Sequence, residues 1–129
     1  AFDAAVRAEP DYASAWIGRS AAFVEMALTE MAVEDAREAV ALAPEDPGAL
    51  NALCWALVKD GCAADALSTC RAASEAAPEE GSITHSLASA LEQIGDVEEA
   101  RRLFALAHEQ APDDPEVTAD YERIFNNTP

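Results

Sequence analysis

Apolar residues recur through this chain with the spacing of a helix face, and proline or glycine interrupts the pattern at intervals. The clearest stretch lies mid-chain, where positions i, i+3, i+4 and i+7 are Leu50, Leu53, Cys54 and Leu57. Asp46 precedes this stretch as a predicted N-cap, with Pro47 at the first helical position, and Gly61 ends it. A second helix is predicted from about Ala63 to Ala77, before Pro78 stops it. The pattern therefore predicts a helix–turn–helix unit.

The same pattern returns further along the chain. Its apolar face consists of Ile83, Leu87, Ala88 and Leu91. Gly95 ends that helix, and Asp96 with Glu99 has the spacing of a capping box for the next one. Asp114 and Pro115 then predict the start of a last helix, as Asp46 and Pro47 do earlier. The elements predicted along the chain are all helical.

The recurrence has a fixed period. Four prolines, each followed by an acidic residue, stand 34 residues apart, at Pro10, Pro44, Pro78 and Pro112. Repeats of this length indicate stacked supersecondary units. The predicted division is residues 1–12 as the second helix of a truncated preceding repeat, full repeats at 13–46, 47–80 and 81–114, and a capping helix with its tail at 115–129. We expect further sequence before residue 1, because a single repeat helix is not stable alone.

These units resemble the tetratricopeptide repeat family, whose pattern is an aromatic, then Leu-Gly three residues on, then Tyr, then Ala-x-x-x-Phe and a closing Pro. The first unit carries the pattern with Trp16, Ser20, Phe23, Ala32, Ala36, Ala39 and Pro44. The second carries it with Leu50, Leu53, Cys54, Leu57, Ala66, Cys70, Ala73 and Pro78, and the third with Leu87, Ala88, Leu91, Ala100, Phe104, Ala107 and Pro112. Arg19 stands where leucine is usual, and Thr84 stands where the aromatic is usual. The resemblance implies an all-α fold, a right-handed α-solenoid of tetratricopeptide helix–turn–helix repeats with a C-terminal capping helix.

The predicted last helix is amphipathic. Its apolar stripe consists of Val117, Tyr121, Ile124 and Phe125, which we expect to cover the third repeat. Its polar residues, expected on the outer face, are Glu116, Asp120, Glu122 and Arg123. This is the pattern of a terminal capping helix.

Composition supports an all-helical chain and limits its partners. Alanine supplies 31 of the 129 residues, and it favours helices over strands. The formal net charge is −17, which predicts that nucleic acid and anionic membrane surfaces are not partners. No apolar run reaches the roughly 18 residues of a spanning helix.

No catalytic or cofactor site is predicted. His85 and His108 have no metal-ligand spacing to the cysteines, and there is no glycine-rich phosphate loop or calcium loop. Cys54 and Cys62 are separated by about 12 Å of helix rise, too far for a disulfide. Cys54 and Cys70 face inward on paired helices, where a bond is possible in an oxidising compartment, but two buried free thiols are favoured. Cys62, near a turn, is expected to be the reactive thiol.

The resemblance implies that the first helices of the repeats line a concave groove that binds a partner protein. The groove residues are predicted to be Ile17, Ala21, Val24, Asn51, Trp55, Val58, His85, Ser89 and Glu92. Trp55 is either a binding hot spot or a packing residue, and Lys59 at the margin is the one cation expected there. The lysines, arginine and asparagine with which some family members grip a C-terminal carboxylate are replaced here by Ile17, Ala21, Gly48, Ala52, Ser82 and Ser86. We expect instead an apolar-faced helix or extended segment with basic flanks.

The sequence thus predicts a non-catalytic protein–protein interaction module, a scaffold or adaptor without cofactors or metals. Two alternatives stay open. One is self-association into a homo-oligomer, and the other is an accessory part of a larger enzyme whose chemistry lies upstream. The chain begins with Ala1, so its targeting signal is unknown; the cytoplasm is favoured and the periplasm is possible.

Overall fold

The computed structural model describes residues 12–126, which form seven α-helices and no strand. The helices are α1 (Ala13–Glu25), α2 (Thr29–Leu42), α3 (Pro47–Lys59), α4 (Ala63–Ala76), α5 (Gly81–Ile94), α6 (Val97–Gln110) and α7 (Pro115–Phe125). Each helix packs on the next, α1 and α5 also pack on α3, and α7 packs on α6 and α5. The predicted all-α solenoid is confirmed. The predicted helix before residue 12 and the tail after residue 126 lie outside the described residues.

The starts of two helices are fixed by aspartate caps, as predicted. Asp46 Oδ2 accepts a hydrogen bond from the Ala49 N–H at 2.9 Å, and Asp114 Oδ1 accepts from the N–H groups of Glu116 and Val117. The capping box predicted at α6 is wrong. Asp96 makes no side-chain cap bond, and Glu99 instead accepts hydrogen bonds from Arg71 of α4. The bond from Arg71 also lowers the pKa of Glu99, because a cationic donor stabilises the carboxylate.

Small residues let the paired helices approach closely. Ala32, Ala36 and Ala39 of α2 are fully buried, and the Ser20 hydroxyl donates a hydrogen bond to the Ala32 carbonyl at 2.8 Å. The larger fully buried side chains include Phe104 of α6. The fully buried positions of the first repeat therefore hold small side chains only, whereas the third repeat adds Leu91 and Phe104 to its buried alanines.

The two departures from the family pattern are both accommodated by polar contacts. Arg19 makes a bidentate ion pair with Asp35 at 2.7 and 2.9 Å, and Asp35 is 4% exposed. The Thr84 hydroxyl lies 2.6 Å from Gln110 Oε1. Each departure thus links the first helix of a repeat to the second helix of the same repeat.

Cys54 and Cys70 form a disulfide between α3 and α4, and both residues are fully buried. The favoured prediction of two free thiols is therefore wrong. The closely packed crossing of the two helices brings the Cα atoms to 4.9 Å, within the usual range for a disulfide.

Cys62 is the free cysteine of the described residues and is partly buried. Partial burial raises the pKa of its thiol, and the carboxylates of Asp60 and Asp65 raise it further. Because the thiolate is the reactive form, the raised pKa lowers the fraction of Cys62 that can react at a given pH.

Ala27 occupies the left-handed region at φ 61°, in the turn where the other two repeats have Gly61 and Gly95 at φ 82° and 96°. A residue with a side chain loses roughly 1–2 kcal/mol of folding stability in this region. Glycine avoids that strain, but its greater freedom in the unfolded chain lowers stability by roughly 0.4–1 kcal/mol. We therefore expect Ala27→Gly to raise the free energy of unfolding by up to about 1 kcal/mol, measured by urea denaturation. The converse change, Gly95→Ala, should lower it by about 1 kcal/mol. A loss of stability in Ala27→Gly would contradict this assignment.

Candidate partner-binding groove

Trp55 lies at the centre of a concave surface formed by α1, α3, α5 and α7. Four adjoining cavities open on this surface, and Trp55 lines all four. The largest has a volume of about 560 Å³ and runs between α1 and α7 over the end of α3. We call this whole surface the Trp55 groove.

The α1–α3 part of the groove is mainly apolar. Its walls include Ile17 and Val24 of α1 and Trp55 of α3, all partly buried in the absence of any partner. The amide of Asn51 lies in the same wall, and its Oδ1 is buried without a hydrogen-bond partner among the described residues. An unpaired buried acceptor is costly, at about 1–3 kcal/mol. The groove therefore combines apolar surface with an unsatisfied polar atom.

The wall contributed by α7 is acidic. Glu116 and Asp120 of α7 face Glu25 of α1 across the largest cavity. Lys59 lies in the same cavity, with its Nζ 4.5 Å from the centre of the Trp55 ring. The lysine is thus placed on the aromatic face, where a cation is attracted to the ring.

His85 is buried in the groove floor. The residue is 4% exposed, and its ring lies between Trp55 and Phe104, at 5.5 and 5.7 Å between ring centroids. Its Nε2 is 2.7 Å from Asp120 Oδ2 on α7. His85 was predicted as a groove-lining contact residue, and it does border a cavity. Its Nε2, however, is already bonded to Asp120, and this bond helps to hold α7 in place.

Arg123 completes the attachment of α7 to α5. It makes a bidentate bond to Glu92 at 2.8 and 3.0 Å and a bond to Asp120 at 3.0 Å. Burial by itself raises the pKa of Asp120, but the hydrogen bonds from His85 and Arg123 outweigh burial and hold that pKa below its usual range. The hydrogen bond that Arg123 donates to Glu92 stabilises the charged guanidinium and therefore raises the pKa of Arg123. Asp120 is therefore ionised at neutral pH, and α7 is held by charged contacts.

The polar face predicted for α7 is corrected by these contacts. Asp120 and Arg123 were expected on the outer face, but they contact α5 inside the concave surface. Glu116 lines the groove as well. The predicted apolar stripe does pack inward: Val117 is 1% exposed, and Tyr121 stacks on His108 at 4.2 Å. The helix is therefore seated with one polar edge turned toward the groove.

All the residues predicted to line the groove border one or more of the four cavities: Ile17, Ala21, Val24, Asn51, Trp55, Val58, His85, Ser89 and Glu92. They differ in availability, because Val58 and His85 are buried and Glu92 is bound to Arg123. Sequence reasoning missed Glu25, Glu116 and Asp120 as groove residues. The i, i+4 spacing of Glu116 and Asp120 places them on one helix face, but it does not show which way that face turns.

Trp55 is packed against its neighbours and is also accessible from the groove. Its ring contacts His85 and Lys59, which is packing, yet it is not fully buried and borders every cavity of the groove.

Within residues 12–126, His, Cys, Asp and Glu side chains form no group of three or more that could hold a metal ion. None of the helices in the described part of the chain combines the length and the apolar character that crossing a membrane requires.

Fold and groove together define an α-helical repeat protein with a concave surface. The family model described as "Tetratricopeptide repeat" matches residues 3–127, so the chain belongs to the tetratricopeptide repeat family. Repeats of this family generally mediate protein–protein interactions and are generally non-catalytic. A search of curated proteins finds no match.

Solved structures share the fold at low sequence identity. The first tetratricopeptide domain of human RPAP3 superposes with a TM-score of 0.77 at 17% identity, covering 91% of this chain and 92% of that one. A thermophilic tetratricopeptide protein of Thermus thermophilus, TTC0263, gives a TM-score of 0.78 at 20% identity, covering 95% and 68%. The first tetratricopeptide domain of Spaghetti (RPAP3), solved bound to the HSP90 peptide SRMEEVD, gives 0.74 at 17%, covering 88% and 90%.

Proposed function

We propose that this chain is a non-catalytic adaptor that holds a segment of a partner protein in the Trp55 groove. The observation that carries the proposal is the position of Trp55, a large and partly exposed aromatic residue shared by four adjoining cavities. Buried aromatic anchors with a polar rim are typical of binding hot spots.

The surrounding contacts support a preformed groove. The disulfide ties α3 to α4, and the contacts from His85 and Arg123 fix α7 against α5. A groove with rigid walls loses less conformational entropy when a segment binds, which favours affinity. The geometry also favours an extended or helical segment over a small molecule, because the cavities are open and continuous along several helices.

Affinity capture from a lysate of the source organism tests the proposal, with the wild-type protein beside Trp55→Ala. We expect the variant to bind the captured partner about 30-fold more weakly, the effect of losing a hot spot of about 2 kcal/mol. The matched control is Met31→Ala, which removes an exposed apolar side chain from α2, outside the groove.

Circular dichroism should show unchanged helical content in both variants. Full partner binding by Trp55→Ala would refute the groove assignment. Light scattering on the same protein tests the alternative of self-association. An oligomer that persists in Trp55→Ala would show that the self-association interface lies outside the Trp55 groove. If the intact gene product carries an upstream catalytic domain, the groove would bind a partner protein for that enzyme.

A further inference from the structure

The charges that line the Trp55 groove do not balance. Its two larger open cavities are bordered by four carboxylates, those of Glu25, Glu92, Glu116 and Asp120, and by two cations. Arg123 is already bound to Glu92 and Asp120. Among residues 12–126, the carboxylates of Glu25 and Glu116 have no ion-pair partner. Within residues 12–126, the groove therefore holds more negative charge than Lys59 and Arg123 neutralise.

Asn51 adds a second unmet group. Its Oδ1 is buried between two of the cavities and accepts no hydrogen bond within the described part of the chain. Buried acceptors in folded proteins are nearly always paired, and a rotation of the Asn51 side chain toward the groove would let it accept a hydrogen bond from an N–H group of a bound segment beside Ile17 and Val24.

We propose that the occupant of the groove is a basic, apolar segment of a partner protein. In this arrangement an apolar side chain packs on Trp55 and Val24, and a lysine or arginine lies between Glu25 and Glu116. The inference rests on the proposed function and names the chemistry of its partner. Charge complementarity of this kind sets specificity and the rate of association.

Other occupants fit the groove poorly. An acidic segment would bring carboxylates against Glu25 and Glu116, and like charges in a groove disfavour binding. A second copy of this chain carries 25 acidic and 8 basic residues, so it offers few cations to these walls. Of these occupants, the basic segment is the one that complements the acidic walls.

Three sets of short synthetic peptides test the inference. In every set leucine occupies alternate positions, and the intervening residue is lysine, glutamine or glutamate. We expect the lysine set to bind the wild-type protein roughly tenfold more tightly than the glutamine set, and the glutamate set not to bind. The preference for lysine should shrink as salt is raised, because the walls are open to solvent.

Paired variants assign the effect to the groove. Glu25→Gln/Glu116→Gln should lower the affinity of the lysine set to about that of the glutamine set. The control Glu30→Gln/Glu109→Gln removes the same charge from exposed positions outside the groove and should preserve the preference. Trp55→Ala should weaken binding of both the lysine and the glutamine sets.

The outcomes separate this inference from the proposed function. Equal binding of lysine and glutamine peptides, lost in Trp55→Ala, would overturn the basic partner and leave the groove intact as a binding site. Lysine-peptide binding that survives Trp55→Ala and falls equally in both glutamine pairs would mean attraction to the acidic surface as a whole, and it would overturn the inference. Binding of none of the three sets would also overturn it, while the adaptor would still be judged by partner capture.

Discussion

Reduction of the Cys54–Cys70 disulfide is expected to lower the free energy of unfolding by about 3 kcal/mol. The two cysteines are 16 residues apart, and a closed loop of that size restricts the unfolded chain by about this amount. The measurement is urea denaturation with and without a reductant, followed by circular dichroism. It should be made in a Cys62→Ala background, so that the disulfide is the only group that changes.

The matched control is the protein with both Cys54→Ala and Cys70→Ala, whose stability should not respond to the reductant. Thiol titration of the unfolded wild-type protein without reductant should find one free thiol, that of Cys62. Three free thiols, or an unchanged denaturation midpoint after reduction, would show that the bond is absent in solution.

The disulfide also bears on the compartment in which the protein works. Disulfides persist in oxidising compartments and are rare in the cytosol. The bond between Cys54 and Cys70 is therefore expected to persist where the protein meets an oxidising environment.

Gly81→Ala is expected to destabilise the protein by about 1–3 kcal/mol, although alanine is the better helix former. Gly81 is buried at the start of α5, and a Cβ there would lie 2.5 Å from the Cβ of Ala111 and 3.1 Å from the Ala107 carbonyl oxygen. The backbone at the end of α6 would have to move, because no flexible side chain could give way. Thermal and urea denaturation measure the loss.

Gly48→Ala is the matched control, because Gly48 lies in the first turn of α3. A Cβ there would lie 3.1 Å from Asp46 Oδ2, the capping oxygen, and 3.7 Å from the end of the Ile17 side chain. We expect stability to change by less than about 1 kcal/mol, because the better helix propensity of alanine offsets a small shift of the cap. The double change Gly81→Ala/Ala111→Gly should recover most of the loss, because it removes the atom that the new Cβ meets. A stable Gly81→Ala protein would show that α5 and α6 are packed less closely than described.

Features that depend on residues close together in the sequence were predicted well. The spacing of Leu50, Leu53 and Leu57 predicted α3, and the caps at Asp46 and Asp114 are present. The nine predicted groove residues all border the concave surface because the face of a helix follows from its residue spacing. Local propensity failed at Asp96–Glu99, where Arg71, from a different helix, competes for the same carboxylate.

Features that join distant residues were decided by packing. His85 and Asp120 are 35 residues apart in the chain, and their contact turns the polar edge of α7 toward the groove. An amphipathic pattern identifies which face of α7 is apolar, but the rotation of the helix depends on the partners it meets on α5. The acidic wall of Glu116 and Asp120 therefore could not be recognised beforehand.

The sequence by itself determined the repeat, the all-helical fold and the faces of the first helices that border the concave surface. Its 34-residue period repeats one local pattern of caps, turns and apolar spacing, and such patterns act over a few residues of chain. Only the tertiary structure decided that Cys54 and Cys70 are bonded, that His85 is buried, and that Glu25 and Glu116 meet across one cavity. These facts depend on distances and rotations between helices, which arise when the repeats stack and their side chains compete for the same space.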